Sequence, residues 1–164
     1  MLIGSTLAGV ILTAVMSTFI FLGKSGASVG NYNDMESQSR RSLEEFAQDT
    51  RQGSAITWNS ATSVTIIVNS TNVTWAYASG TLTRQVATGV PRTMITGISS
   101  FEFVGFKLTD PTTPIDLSDL AAAGRLTKQL QISLEVERRT RTVARSTNLV
   151  LSARFILRNK RVTT

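Results

Sequence analysis

Eleven carboxylates, with no histidine and no cysteine, set the limits of the chemistry open to this 164-residue chain. Without an imidazole or a thiol, the Ser-His and Cys-His nucleophile arrangements, thiolate sites and the usual zinc ligand sets are excluded. Glu44 and Glu45 are adjacent, so on a helix they point to different parts of its surface and do not make a general acid/base pair. Asp110, Asp116 and Asp119 offer oxygen donors to a hard cation such as calcium. Their spacing departs from the 1-3-5-7-9-12 ligand pattern, which predicts solvated turn acids and no metal. Neither catalytic residues nor a cofactor are expected. Asn69-Ser-Thr71 and Asn72-Val-Thr74 match the glycosylation acceptor pattern, but so short a motif recurs by chance and carries no weight alone.

The basic residues are more informative. Lys and Arg total 17 against 11 acids, a net charge of +6 that suits an anionic partner. Arg138, Arg139, Arg141, Arg145, Arg154, Arg158, Lys160 and Arg161 crowd the C-terminal stretch, which contains no acid after Glu137. On one reading, Arg154 and Arg158 stand on the outer face of an edge strand and keep it soluble. On the sharper one, all eight form an anion-binding cluster that holds nucleic acid phosphates, with Trp58 or Trp75 nearby.

The elements that position these side chains fall into two unlike halves. Residues 1–23 carry no charge, and the run 1–22 spans roughly 33 Å as a helix, enough to cross a bilayer. A cleaved signal peptide is the rival reading. It is disfavoured by the length of the run, the lack of a basic segment before it and the lack of a small-x-small site after it. Ser5, Gly9, Thr13 and Ser17 recur every four residues and form a stripe of small side chains along one helix face, where another helix backbone can approach closely. Lys24, Arg40 and Arg41 all follow the span, so the positive-inside rule alone places the remainder in the cytoplasm.

Residues 25–30 are glycine-rich and predict a locally weak helix. Helical periodicity resumes at Tyr32, with Met35, Leu43, Phe46, Ala47 and Thr50 on its apolar side, and Gly53 marks the stop. A continuous helix over residues 1–52 would be about 78 Å long, more than one small domain can cover, so its first half must be buried in something else. From residue 54 on, β-branched and aromatic residues alternate in short runs. Strands are predicted at Ser63–Val68, residues 72–78, Thr81–Val86 and residues 99–108. The two clearest are 130–136 and 149–157, an antiparallel pair joined by a polar hairpin end at 138–148. Residues 110–114 read as a turn, and residues 116–124 as a short helix started by Asp116 or Ser118. The predicted organisation is a helix over 1–53, with 1–23 in a membrane or filament core, and a β-sheet domain over 54–164.

An uncharged N-terminal helix that continues into an amphipathic half and ends at a β-sheet resembles the type IV pilins and the pseudopilins of type II secretion. The opening Met1-Leu-Ile-Gly-Ser-Thr-Leu-Ala-Gly-Val-Ile-Leu12 is similar to the part of a prepilin N-terminus that follows the Gly-Phe-Thr-Leu-x-Glu processing sequence. Arg41-Ser-Leu-Glu-Glu-Phe-Ala-Gln-Asp-Thr-Arg51 and Ser152-Ala-Arg-Phe-Ile-Leu-Arg-Asn159 are similar to minor pilins and J-type pseudopilins. The resemblance implies an α+β pilin fold, a long N-terminal helix packed by its C-terminal half on an antiparallel sheet. It also implies a structural, non-enzymatic role in a filament built from like subunits, drawn from the bacterial inner membrane. The processing glycine and acidic residue would fall immediately before Met1 and are absent, which points to a start placed too late or to a sequence that begins inside the mature helix. A basic leader there would put the β domain in the periplasm, against the positive-inside reading. The alternative is a single-pass periplasmic module that binds DNA or another anion without polymerising.

Overall fold

A computed structural model describes residues 2–138 and 147–161. One helix, α1 (Leu2–Gln52), runs unbroken for 51 residues, through Gly23, Gly26 and Gly30. It stops where expected, because Gly53 opens the first strand.

Eight strands follow: β1 (Gly53–Ser60), β2 (Ser63–Val68), β3 (Thr71–Ala78), β4 (Thr81–Val86), β5 (Arg92–Thr96), β6 (Ile98–Phe106), β7 (Gln129–Arg138) and β8 (Thr147–Ile156). A short helix, α2 (Leu120–Leu126), separates β6 from β7. All pairings are antiparallel, and the strands form two sheets, β1-β2-β3-β4-β5 and β6-β7-β8. The fold is therefore α+β, with two sheets where the sequence predicted one. Gly97 is the reason. It sits between β5 and β6 with φ +78°, and a Cβ there would lie 2.9 Å from the Glu137 carbonyl oxygen. The chain turns at this glycine out of the first sheet and into the second, and the Gly97 carbonyl accepts from the Glu137 N–H at 2.8 Å.

The hairpins of the first sheet are tight. Asn69 and Ser70, and then Ser79 and Gly80, all have positive φ, the backbone that two-residue turns need to match strand twist. β1 and β5 went unpredicted: β1 is mostly small and polar apart from Ile56 and Trp58, and β5 is only five residues long. The β7–β8 pair matches its prediction. Leu130 faces Phe155, Ile132 faces Ala153, Leu134 faces Leu151 and Val136 faces Leu149, all directed at the core. α2 begins later than expected. Asp119 rather than Asp116 or Ser118 is its N-cap, accepting from Ala122 N–H at 2.9 Å, while Asp116 holds Ser118. Gly124 lets α2 lie against β1, since a Cβ would come within 2.9 Å of the Ile56 carbonyl oxygen.

Both sheets close on the second half of α1. Met35, Phe46, Ala47 and Thr50 are buried as the periodicity predicted, Leu43 is half-buried, and Tyr32 is exposed. Phe46 is the hub. Its ring meets Trp75 of the first sheet edge-on at 5.3 Å, and Phe103 and Phe155 of the second, each at 5.8 Å. Ser39 and Ser42 are also buried on this face, small enough for the helix backbone to sit close to the strands.

Candidate functional site

Residues 6–26 of α1 are not packed against any other element among the described residues. From residue 6 to residue 26 every described side chain is exposed, Val10 and Phe21 at 68% and Phe19 at 72%. This segment is long and apolar enough to span a membrane. Burying such surface is worth about 25 cal/mol per Å² of apolar area, so a helix so exposed in water is strongly disfavoured. Its polar side chains fit an apolar medium. The Thr13 hydroxyl donates to the Gly9 carbonyl at 2.8 Å and Thr18 to Ala14 at 2.9 Å, so both hydroxyls are satisfied by the helix itself.

The small stripe is present as a surface feature. Gly9, Thr13 and Ser17, with Thr6, Val10 and Ala14, line a shallow open groove of about 640 Å³ along the helix. Ser5 stands on α1 one turn before Gly9. A Cβ on Gly9 would meet nothing within 4 Å inside the chain.

Where α1 meets the first sheet, a buried charge cluster appears that periodicity did not reveal. Asp49 is 4% exposed; its carboxylate accepts two hydrogen bonds from Arg84, at 2.7 and 2.9 Å, and one from the Trp75 indole at 2.9 Å. Glu45, one turn earlier, pairs with Arg92 and with Arg41. The hydrogen bond to Asp49 holds the Arg84 guanidinium above its ordinary pKa in spite of its burial. A sequence signal existed: Asp49 is the lone acid beside Phe46 and Thr50 on the apolar face, and Arg84 and Arg92 are the only charged residues from Gly53 to Thr96.

Of the eight basic residues proposed as one cluster, the side chains of Arg154, Arg158, Lys160 and Arg161 are described, and they have different surroundings. Arg139, Arg141 and Arg145 lie outside the described residues, and Arg138 ends β7. Arg154 stands on the outer face of β8, but it is tied down, donating to Gln131 and to the Pro111 carbonyl and stacking over Phe106 at 3.6 Å. Lys160 is a buried cation, not a surface one: its ammonium donates at 2.6 Å to the carbonyls of Arg125 and Thr127. Arg158 and Arg161 are exposed, and Arg161 lines an open groove of about 610 Å³ with Arg125, Lys160 and β1. Trp58 and Trp75 are 2% and 0% exposed and point into the core, so neither offers a base-stacking platform.

The acids singled out for chemistry are spent locally. Asp110 accepts from the backbone of Thr112 and Thr113 and from the Thr112 hydroxyl, and bonds from Thr113 and Thr112 hold its carboxyl well below the ordinary range. Asp116 and Asp119 build the next turn and the α2 cap. Glu44 is exposed, whereas Glu45 turns toward the sheet, so the two diverge as expected. No protein-family model matches the chain, and no curated protein matches it.

Proposed function

We propose that this chain is a structural subunit of a filament of the type IV pilin or type II secretion pseudopilin kind, held in a membrane by the first half of α1 before assembly. The observation that carries the reading is the contrast within one continuous helix. Residues 6–26 are uncharged but for Lys24 and exposed all round, while from Met35 on one face of the helix is buried under two sheets. A membrane satisfies the bare half in the single subunit, and neighbouring copies of the same helix satisfy it in a filament. The small groove at Gly9, Thr13 and Ser17 favours the second, because it brings helix backbones together without clashing side chains. The clamp at Asp49, Arg84 and Trp75 fixes the globular part to the helix, so that force on one reaches the other.

In this reading the globular part lies outside the cytoplasm, in the periplasm of a bacterial cell. A reporter active only outside the cytoplasm, fused after Thr164 of the full-length gene, is expected to be active. Activity of the matching cytoplasmic reporter alone would overturn the assignment.

A further inference from the structure

The first sheet carries almost no charge. From Gly53 to Thr96 the chain has two charged residues, Arg84 and Arg92, although the whole chain holds 17 basic and 11 acidic ones. Both arginines are paired with α1 carboxylates, Arg84 with the buried Asp49 and the half-exposed Arg92 with Glu45. The outward face of β2 to β4 has no charged residue of its own, and only its β1 edge, at Thr57, borders the groove that Arg125, Lys160 and Arg161 line. Solvated protein surfaces ordinarily mix charges of both signs, whereas surfaces that bind are depleted of them.

The chemistry of the face narrows the partner. Thr57, Thr65, Thr74 and Gln85 stand in register on β1 to β4, so hydroxyls and an amide form one row with strands about 4.8 Å apart. The Thr65 and Thr74 hydroxyls lie 2.9 Å from each other, and Asn59 donates to Thr65 at 2.8 Å, which orients the row. Hydroxyls and amides both donate and accept, and threonine adds a flat methyl surface. Protein interfaces draw their affinity from tryptophan, tyrosine and arginine. Here Trp58, Trp75 and Arg84 all face inward. We infer that the outward face of the β1–β5 sheet binds a neutral, polyhydroxylated polymer, a polysaccharide, by hydrogen bonding without ion pairs.

The test uses the full chain dispersed in detergent, so its outcome does not depend on whether the protein polymerises. Retention on a panel of neutral polysaccharides, glucans, mannans and galactans, is measured against heparin as the anionic control. The expected result is retention on at least one neutral polymer that persists at about 1 M salt, where charges are screened beyond about 3 Å. Thr74→Lys is expected to weaken it by about tenfold or more. Thr57→Lys, at the exposed end of the same row, guards against a folding defect at the centre and should weaken it measurably. Val150→Ser, on the other sheet, should leave it unchanged. The inference is overturned if no neutral polymer is retained, if retention vanishes in high salt, or if both lysine variants bind like the wild type. It also fails if sedimentation shows that this face is instead covered by a second copy of the chain.

Discussion

Asp49 on α1 and Arg84 on β4 form a two-point ion pair, Nε to Oδ2 at 2.7 Å and Nη2 to Oδ1 at 2.9 Å, and the Trp75 indole donates to the same Oδ2. This is where the helix is locked to the first sheet. Asp49→Ala would leave a partly buried guanidinium and a buried indole N–H without their acceptor. The expected loss of stability is about 3 kcal/mol, read by urea unfolding. Adding Arg84→Met to that variant should recover part of the loss, because it removes the stranded charge. A loss below about 0.5 kcal/mol, the range of ordinary surface substitutions, would show that the cluster is not a clamp.

The aromatic hub sets a second ranking. Phe46 is 0% exposed and touches both sheets, so Phe46→Ala should cost about 3 to 5 kcal/mol. Phe155 is only half-buried, with Arg51 over its ring at 5.7 Å, so Phe155→Ala should cost roughly 2 kcal/mol. Arg158 is exposed, and Arg158→Ala should change stability by less than about 0.5 kcal/mol. Thermal or urea unfolding of the three variants would contradict the packing if Arg158→Ala proved the most damaging.

Lys160 gives the fold a dependence on alkaline pH. Burial, and then the neighbouring Lys128 cation, lower its pKa from the ordinary 10.5 to about 8, outweighing the two carbonyls it meets. Between about 8 and 10.5 the unfolded chain therefore binds more protons than the folded one. In that window this group makes stability rise with pH, and below it the cost of burying the ammonium is constant. The urea midpoint of the wild type relative to Lys160→Gln should accordingly increase from pH 8 upward. A flat or falling difference would contradict the stated environment of Lys160.

Gly9→Leu separates folding from assembly. Nothing in the chain lies within 4 Å of a Cβ at this position, so the subunit should fold and enter the membrane as before. The leucine fills the groove at Thr13 and Ser17, and filament yield should fall to a small fraction of wild type. Wild-type filament yield would remove the close-packing role of the stripe.

What could be read in advance follows from how local each signal is. The helix stop at Gly53, the alternation of Leu130 to Val136 against Leu149 to Leu157, and the charge-free start of α1 are patterns of neighbouring residues, and all three appear in the structure. The division into two sheets depends on one positive φ at Gly97 and on contacts with Glu137, forty residues away, which no periodicity records. Asp49 is likewise remote in sequence from its partners, 26 residues from Trp75 and 35 from Arg84, so its place on the apolar face beside Phe46 and Thr50 does not reveal what it binds. Arg154 and Lys160 misled in the opposite direction. Counting cations located a basic stretch, but Arg154 is held on the surface by Gln131 and Pro111, and Lys160 donates to Arg125 and Thr127 inside the fold.

Burial of the bare half of α1 by copies of itself is read by electron microscopy of the full-length protein after removal of detergent. The expected images show helical filaments whose axis is a bundle of α1 segments, with residues 6–26 inside, the groove at Gly9, Thr13 and Ser17 facing a neighbouring helix, and the two sheets outside. Monodisperse particles or bilayer-bound monomers under every condition that removes detergent would contradict it, as would filaments joined through the globular domains with the α1 segments apart.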